Sequence, residues 1–469
     1  MLPLFIQKKV ANAVSHWVQQ RKTDGAISPY LQGIYAPVES ESTWHDLTVI
    51  GQIPTALNGI FARNGSNPID VINPATYHWF SGDGMVHGVR IKEGKACWYR
   101  NRYVGADRTQ KSLERKRLPG VRNGIVDVVN TSVFGHAGKL WALVEAGASP
   151  IELNHELESI RHGLFNEKRP LPFTAHPHLD PNTGHLHAIS YDAMQRDRAY
   201  YQVIDAQGNL VHLAQFRVKS GPMMHDCALS TKHVLMLDLP VTFSFKSILR
   251  GATMPYEWNP KHPARVGIVP LMGKRVRWLN VEPCYVFHTG NAQDLPNGDI
   301  IMDAVVHDKM FDNSIHGPTA NTTTLERWTL PANGDTVKRD VLAKQYQEFP
   351  RFDTRLTGQN YRYLYTMGVN PDAPTSSVPL LRFDLQQQRY TQHTFDKHRI
   401  TGEATFVPRS INGKEDDGWL MSFVYNTLTD KGEIVILNAD DLAGEPQAII
   451  KLPVRVPMGF HCNWINYAA

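Results

Sequence analysis

The sequence is poor in cysteine, in long apolar runs and in net charge for its 469 residues. Its four cysteines, Cys97, Cys227, Cys284 and Cys462, are far apart and form no CxxC pair. This pattern excludes a disulfide scaffold and indicates free thiols in a reducing compartment. No apolar run reaches the roughly 18 to 20 residues of a membrane-spanning helix. A net charge of +4 argues against nucleic acid as the main partner.

The first residues also lack the order of a signal peptide. Lys8 and Lys9 interrupt the apolar stretch, and no small-residue cleavage site follows it. Spaced apolar residues predict an amphipathic helix over residues 1–22. That helix either packs on the protein or uses its basic side chains to contact a membrane surface. We therefore expect a cytoplasmic protein, with peripheral membrane contact as the sharper hypothesis.

Helical patterns are scarce after Gln32, and short apolar runs alternate with turn signals. Many short strands at close spacing predict an all-β fold, and a propeller accommodates the length in one domain, 1–469. No clean internal repeat fixes the number of blades. The clearest predicted strands are 234–237, 300–306, 419–425 and 433–437. The predicted turns are 64–68, 81–84, 182–184, 297–298, 333–334 and 412–413.

One segment, 241–256, is unusually apolar, with Lys246 and Arg250 as its charged residues. It either covers a blade face or forms an exposed patch that admits an apolar ligand. With residues 2–22, it is the second candidate for membrane contact.

Four of the 21 histidines follow apolar residues, and most of them lie in apolar or aromatic stretches. Such a histidine is either hydrogen-bonded in the core or a metal ligand in a dry pocket. The gaps between the four are far wider than the two to five residues of zinc motifs. Wide gaps suit ligands contributed by different blades. The four candidates are His176, His225, His288 and His461.

Three carboxylates, Glu145, Glu348 and Glu403, lie in similarly apolar stretches. Burying a carboxylate is costly unless it is paired. One interpretation is that each holds the second ring nitrogen of a ligating histidine. The alternative is that Arg351 and Arg409 pair locally with Glu348 and Glu403.

Motifs spread over nearly the whole chain resemble those of the carotenoid cleavage oxygenases, the retinal pigment epithelial membrane protein family, and especially their bacterial branch. The residues that carry the resemblance are Phe61-Ala62-Arg63-Asn64-Gly65, the stretch from His78 to His87, Ala175-His176-Pro177, Met224-His225-Asp226, Val286-Phe287-His288, Glu348-Phe349-Pro350-Arg351, Gly402-Glu403 with Phe406-Val407-Pro408-Arg409, and Gly459-Phe460-His461.

This resemblance implies a seven-bladed propeller with a helical and loop dome over an axial site of non-haem Fe(II), with O2 as co-substrate. It implies that the four histidines bind the iron and that His176 lacks a glutamate partner. It assigns Thr131 as the residue whose methyl group crowds an open iron position. The implied glutamate pairs are Glu145 with His225, Glu348 with His288, and Glu403 with His461.

A substrate tunnel should hold one double bond over the metal. Phe287, Phe349, Met223 and Val144 are its candidate lining by position, although each also suits a plain core. Stilbene-cleaving relatives have a lysine where this chain has Val144, which favours an apolar polyene over a hydroxystilbene. Tyr103 is the candidate contact for a hydroxylated end group.

The sequence therefore predicts an Fe(II)-dependent dioxygenase that cleaves a double bond of a carotenoid or apocarotenoid to two carbonyl products, without an obligate protein partner. The first alternative is a stilbenoid- or lignostilbene-cleaving enzyme of the same family. A propeller that only binds a lipid or a protein is the second. Isomerase or hydrolase activity, as in the vertebrate retinoid branch, is the third.

Overall fold

The computed structural model describes residues 25–124, 127–312 and 322–467. Seven antiparallel sheets of four or five strands form a ring, and an additional two-stranded hairpin lies beside them. Most sheets consist of strands that follow one another in sequence, as the blades of a propeller do. The predicted all-β, seven-bladed propeller is confirmed.

The strands are numbered in chain order, and each sheet is given from its inner to its outer strand. The first sheet is β32 (Cys462–Asn466), β3 (Gly59–Ser66), β4 (Gly84–Lys92), β5 (Lys95–Tyr103) and β1 (Ser42–Trp44). The second is β6 (Ser132–His136), β7 (Lys139–Leu143), β8 (Ile151–Leu153) and β9 (Ser159–His162). The third is β10 (His178–Leu179), β11 (Leu186–Tyr191), β12 (Arg198–Ile204) and β13 (Leu210–Arg217).

The fourth sheet is β14 (Cys227–Leu229), β15 (His233–Asp238), β18 (Arg265–Pro270) and β19 (Arg277–Asn280). The fifth is β20 (Thr289–Asp294), β21 (Ile300–His307), β22 (Thr323–Leu330) and β23 (Lys338–Ala343). The sixth is β24 (Gln347–Arg351), β25 (Tyr363–Gly368), β26 (Leu380–Asp384) and β27 (Arg389–His393). The seventh is β28 (Arg399–Pro408), β29 (Gly418–Asn426), β30 (Lys431–Asn438), β31 (Ala448–Lys451) and β2 (Val49–Gly51).

Helices are few and short in the described part of the chain. They are α1 (Asp107–Ser112), α2 (Phe245–Leu249) and the 3-10 turns Pro29–Leu31, Gly33–Tyr35, Pro74–Thr76, Trp79–Ser81 and Thr354–Leu356. None of the described helices is long and apolar enough to cross a lipid bilayer. The predicted helix over residues 1–22 lies outside the described residues.

Burial explains why the strands lack a clear periodicity in sequence. The blades pack face to face, so central strands such as β29 are buried on both sides and read as continuous apolar runs. Outer strands such as β13 alternate between buried and exposed residues instead. All four segments predicted as strands lie inside β15, β21, β29 and β30.

The predicted turn at 64–68 is wrong, because residues 64–66 end the buried strand β3. Gly65 is needed there for a close approach, since a Cβ atom would lie 2.7 Å from the Cα atom of Gly459. Asn64 donates from its side chain to the carbonyls of Val129 and Ser132, so it acts as a strand residue that ties neighbouring blades.

The inner strands all begin on one face of the ring, which we call the upper face. In an antiparallel sheet the connections alternate between the two faces, so the upper face also carries the long connections 67–83, 104–131 and 239–264. These connections form the dome above the axis. The opposite, lower face carries mainly short hairpin turns.

The segment 241–256 lies in this dome as a hairpin of β16 (Val241–Phe243) and β17 (Tyr256–Trp258) that encloses α2. Val241 and Tyr256 are buried in the core, whereas Phe245 and Leu249 are 58% and 60% exposed. The segment thus covers the sheets with one side and exposes apolar side chains on the other.

The last strand closes the ring. β32 pairs with β3 as the inner strand of the first sheet and contacts β6 of the second sheet.

We expect a chain truncated after Phe460 to lose cooperative unfolding, because it leaves the edge of β3 unpaired and the ring open. Circular dichroism during heating would measure this, with a chain that ends at Tyr467 as the control. Equal melting temperatures for the two chains would contradict this role of β32.

Candidate metal centre

Four imidazole rings converge on the axis of the ring at its upper face. The Nε2 atom of His225 lies 3.1 Å from that of His176 and 3.2 Å from that of His288. The Nε2 atoms of His288 and His461 are also 3.2 Å apart. All four potential ligand atoms lie within 4.8 Å of one another. The structure thus brings together the four histidines that the sequence singles out.

The inner strands explain this convergence. The four histidines lie one or two positions before the first residue of an inner strand: His176 before β10, His225 before β14, His288 before β20 and His461 before β32. Four different sheets therefore supply one ring each. Because the inner strands surround a common axis, residues far apart in sequence meet there.

Three of the rings are fixed by buried glutamates. The Nδ1 atom of His225 is 2.8 Å from Glu145 Oε1, and that of His288 is 2.7 Å from Glu348 Oε2. The Nδ1 atom of His461 is 3.0 Å from Glu403 Oε1. Within the described ranges, no carboxylate is placed against His176. These are the pairs that the resemblance implies.

The hydrogen bonds determine which nitrogen carries the proton. A carboxylate only accepts hydrogen bonds, so each partnered Nδ1 donates and each neutral ring presents a lone pair at Nε2. The Nε2 atom of His288 lies 3.2 Å from those of His225 and His461, so its lone pair would repel theirs unless a cation lies between the rings. Two ligands at right angles, each about 2.1 Å from a metal, lie about 3.0 Å apart. The donor set therefore fits a metal ion.

The three glutamates come from the sheets that supply no histidine. Glu145 follows β7 of the second sheet, Glu348 lies in β24 of the sixth, and Glu403 lies in β28 of the seventh. Each of the seven sheets thus contributes one ring or one carboxylate to the centre.

Each glutamate also has a second side-chain partner, which the sequence did not reveal. The Tyr191 hydroxyl donates to Glu145 over 3.0 Å, and His307 Nε2 donates to Glu348 over 2.8 Å. Arg351 Nε donates to Glu403 over 2.8 Å. These partners satisfy the second carboxylate oxygen or share the first, so the glutamates are held in place from behind.

The predicted local arginine pairs are wrong. Arg351 lies close to Glu348 in sequence but binds Glu403 of the neighbouring sheet, and Arg409 binds Asp417 at 2.7 Å. The cause is a register shift in β24 between Glu348 and Arg351, which changes the direction of the side chains.

Similar irregularities occur in two further inner strands beside the centre, after Thr289 in β20 and between Thr401 and Ala404 in β28. Phe349, inside the shifted segment of β24, has a φ angle of 56°, which is unfavourable for an aromatic residue. Its ring stacks on His288 with centroids 5.1 Å apart. Backbone strain of this kind accumulates where the surrounding structure needs a particular side-chain direction.

The electrostatic environment favours the states that metal binding needs for His176, His461, Glu348 and Glu403. Burial lowers the pKa of His461 to about 4 and that of His176 well below its usual value, so both rings are neutral at pH 7. Burial alone would raise the pKa of Glu348 and of Glu403. The neighbouring His288 and Arg351, respectively, outweigh it and lower both pKa values, so the carboxylates stay charged.

Thr131 lies directly before β6 at the edge of the centre. Its carbonyl accepts a hydrogen bond from the backbone N–H of His461 over 3.1 Å. The residue therefore positions the last histidine through the main chain, whatever its side chain does.

The predicted tunnel residues are placed unequally. Phe287 packs edge-on against His225 with centroids 5.2 Å apart. Met223 and Val144 are buried in connections of the upper face, near His225 and Glu145 in sequence. Tyr103 accepts a hydrogen bond from Asn67 over 2.7 Å, and no contact described for it reaches the histidines. The structure brings Phe287 and Phe349 to the centre and leaves Tyr103 away from it.

Three further aromatic residues extend this apolar wall. Phe80 lies 6.4 Å from Phe287 and 5.5 Å from Phe460, and Phe311 lies 6.1 Å from Phe287, between ring centroids. Little in the sequence places these residues at the centre, although Phe460 precedes a candidate ligand and Phe80 lies in a family motif.

A cavity of ≈ 730 Å³ reaches the centre from the other side. His176, His288 and His461 line its inner end, and hairpin-turn residues such as Gly138 and Gly184 line its lower-face end. None of the five predicted tunnel residues lines it. The metal centre therefore lies between an axial channel below and an aromatic wall above.

Comparison with known proteins agrees with this geometry. The family model for the retinal pigment epithelial membrane protein matches residues 35–466. The chain is 37% identical to a carotenoid cleavage oxygenase of Mycobacterium tuberculosis, over 93% of this chain and 97% of that protein. It is 31% identical to isoeugenol monooxygenase of Pseudomonas putida, over 93% and 98% of the two chains.

Among solved structures, the lignostilbene dioxygenase of Pseudomonas brassicacearum superposes with a TM-score of 0.85 at 29% identity. The alignment covers 95% of this chain and 100% of that one. The fold is therefore shared with a lignostilbene dioxygenase over nearly the whole length of both chains.

We expect Glu403→Gln to weaken metal binding by about 10- to 100-fold, because the neutral amide no longer fixes the His461 tautomer or offsets the metal charge. Chelator competition followed by metal analysis measures this. Glu433→Gln is the matched control, since Glu433 is equally buried but pairs with Arg399 and Lys451 on the outer part of the seventh sheet. Equal metal loss in both variants would show a general effect of burying an amide.

Proposed function

The chain belongs to the retinal pigment epithelial membrane protein family, the family of the carotenoid cleavage oxygenases, and on that premise we propose that it is an Fe(II)-dependent dioxygenase. It cleaves one carbon–carbon double bond of a carotenoid or apocarotenoid to two carbonyl products. The observation that carries this proposal is the four-histidine centre with its three buried glutamates.

The chemistry of the donor set supports iron. Imidazole ligands suit iron, copper, nickel and zinc, but zinc has no redox chemistry. An oxygenase needs a redox-active metal, and when bound the iron supplies the activation of O2 that this reaction requires. Four histidines leave up to two positions of an octahedral metal for other ligands.

The protein's own groups do the remaining work. Glu145, Glu348 and Glu403 orient three rings by accepting their Nδ1 protons. Phe287 and Phe349 pack against the rings and exclude water from the upper side. A polyene that lies along this aromatic wall is held with one double bond over the metal, so position selects the bond that is cut. Thr131 crowds one open metal position in this proposal.

Charge balance supports a divalent metal in this buried centre. The three carboxylates offset the double charge of the metal together with the guanidinium charge of Arg351, which binds Glu403. The rings themselves contribute no charge when neutral. A buried set of charges is tolerable when its members compensate one another at short distance.

A polyene is favoured over a phenolic substrate because Val144 is buried among apolar side chains beside Glu145. Stilbene-cleaving relatives have a lysine at that position. The likeness to a lignostilbene dioxygenase and to an isoeugenol monooxygenase supports aromatic alkenes as the second candidate class.

The decisive experiment incubates iron-loaded protein with a panel of polyenes and stilbenes under labelled O2. We expect an apocarotenal to give two carbonyl fragments, each carrying label, with higher turnover than resveratrol. Mass spectrometry identifies the fragments and the bond that was cut. Faster turnover of the stilbene would favour the second candidate class. Products without label would point to isomerase or hydrolase chemistry, and no product from any member would leave only a binding role.

We further propose that the exposed part of α2 contacts the membrane surface from which an apolar substrate enters. Phe245 and Leu249 project from the upper face, and Arg196 lies over Phe245 with its guanidinium carbon 4.5 Å from the ring centroid. Basic groups beside exposed apolar side chains suit an anionic lipid surface.

Phe245→Ser should reduce co-sedimentation with anionic liposomes severalfold, because it removes an exposed ring from the contact. Ile411→Ser is the control, since Ile411 is 83% exposed in a connection on the lower face. An equal reduction in both variants would mean that exposed apolar residues bind lipid regardless of place.

A further inference from the structure

A second group of potential metal ligands lies away from the axis, where the connection 104–131 passes the second sheet. Asp107 begins α1, Asp127 lies near the end of the connection, and His162 ends β9. One potential ligand atom from each lies within 4.8 Å of the other two. The three residues line a cavity of ≈ 480 Å³ that is separate from the axial one.

Two potential ligand atoms in this group are buried without a hydrogen-bond partner. The Oδ1 atom of Asp107 and the Nε2 atom of His162 make no hydrogen bond and are 3.7 Å apart. His162 is 1% exposed. Buried polar atoms are normally paired, so two orphaned ligand atoms facing one cavity indicate a missing partner between them.

Other atoms of the group already form hydrogen bonds, which leaves Asp107 Oδ1 and His162 Nε2 as the free ligand atoms. The backbone N–H of Asp107 donates to Asp127 Oδ2 over 2.7 Å. The Nε2 atom of His162 stays uncommitted, and a neutral imidazole that is protonated on Nδ1 presents an Nε2 lone pair, as metal-binding histidines do.

The charges nearby limit which cation fits. Arg117 and Arg122 both donate to Asp107 Oδ2, at 2.9 and 2.7 Å through their Nε atoms, and leave Oδ1 free. These guanidinium groups offset the two carboxylates, so a hard cation held by charge alone gains little here. A borderline cation also gains from the imidazole nitrogen. Arg117 is 67% exposed, so solvent screens its charge.

We propose that Asp107, Asp127 and His162 form a second metal site, which takes a borderline divalent cation such as Zn²⁺. The ion ties the beginning and the end of the connection 104–131 to β9. That connection ends at Thr131, whose carbonyl holds the backbone of His461. The second site therefore stabilises the support of the axial centre without touching it.

The test is calorimetric titration of the iron-loaded protein with Zn²⁺. We expect one additional metal ion per chain, a higher melting temperature with the ion bound, and unchanged iron content. His162→Gln and Asp127→Asn should each weaken this additional binding by more than about tenfold, since each removes a ligand rather than an outer partner. His398→Gln, at a half-buried histidine of the connection before β28, should leave it unchanged.

Equal affinity in wild type and His162→Gln would overturn the proposal and leave the group as a structural ion pair. If the variants do not fold, anomalous diffraction from wild-type crystals soaked in Zn²⁺ decides instead. A peak about 2.1 Å from His162 Nε2 supports the site. Anomalous density only at the axial histidines refutes it.

Discussion

The metal centre depends on one type of interaction, the hydrogen bond from an imidazole Nδ1 atom to a buried glutamate. Made three times, by His225, His288 and His461, it leaves an unprotonated Nε2 atom on each ring, and that of His288 lies 3.2 Å from the other two. Such an arrangement is stable only around a cation. The rest of the centre follows from it: the carboxylates must be charged, so they need the donors Tyr191, His307 and Arg351 behind them.

A ring of sheets meets this demand because every inner strand approaches the same axis. Regular strands would aim successive side chains alternately toward and away from it. Register shifts in β20, β24 and β28 alter that alternation beside the centre. The frame is therefore regular where the blades pack and irregular where the chemistry is performed, and the strained backbone of Phe349 lies within one of the irregular stretches.

Much of this could be predicted from the sequence, since short apolar strands indicate a propeller and family motifs mark His176 and Glu403. Interactions that depend on register could not be predicted. Arg351 pairs across a blade boundary, and the Gly65 motif that resembles a turn ends a strand because another glycine packs against it. Such outcomes depend on three-dimensional neighbours that local pattern does not encode.

All seven sheets contribute to the metal centre: four supply an imidazole ring and three supply a carboxylate. Propeller blades are often treated as interchangeable modules that duplication adds and deletion removes. In this protein, deleting a blade would remove a ligand or a carboxylate, and adding a blade would move the existing ligands apart. The size of the ring is thus set by coordination chemistry as much as by packing, and each blade has become a unique part.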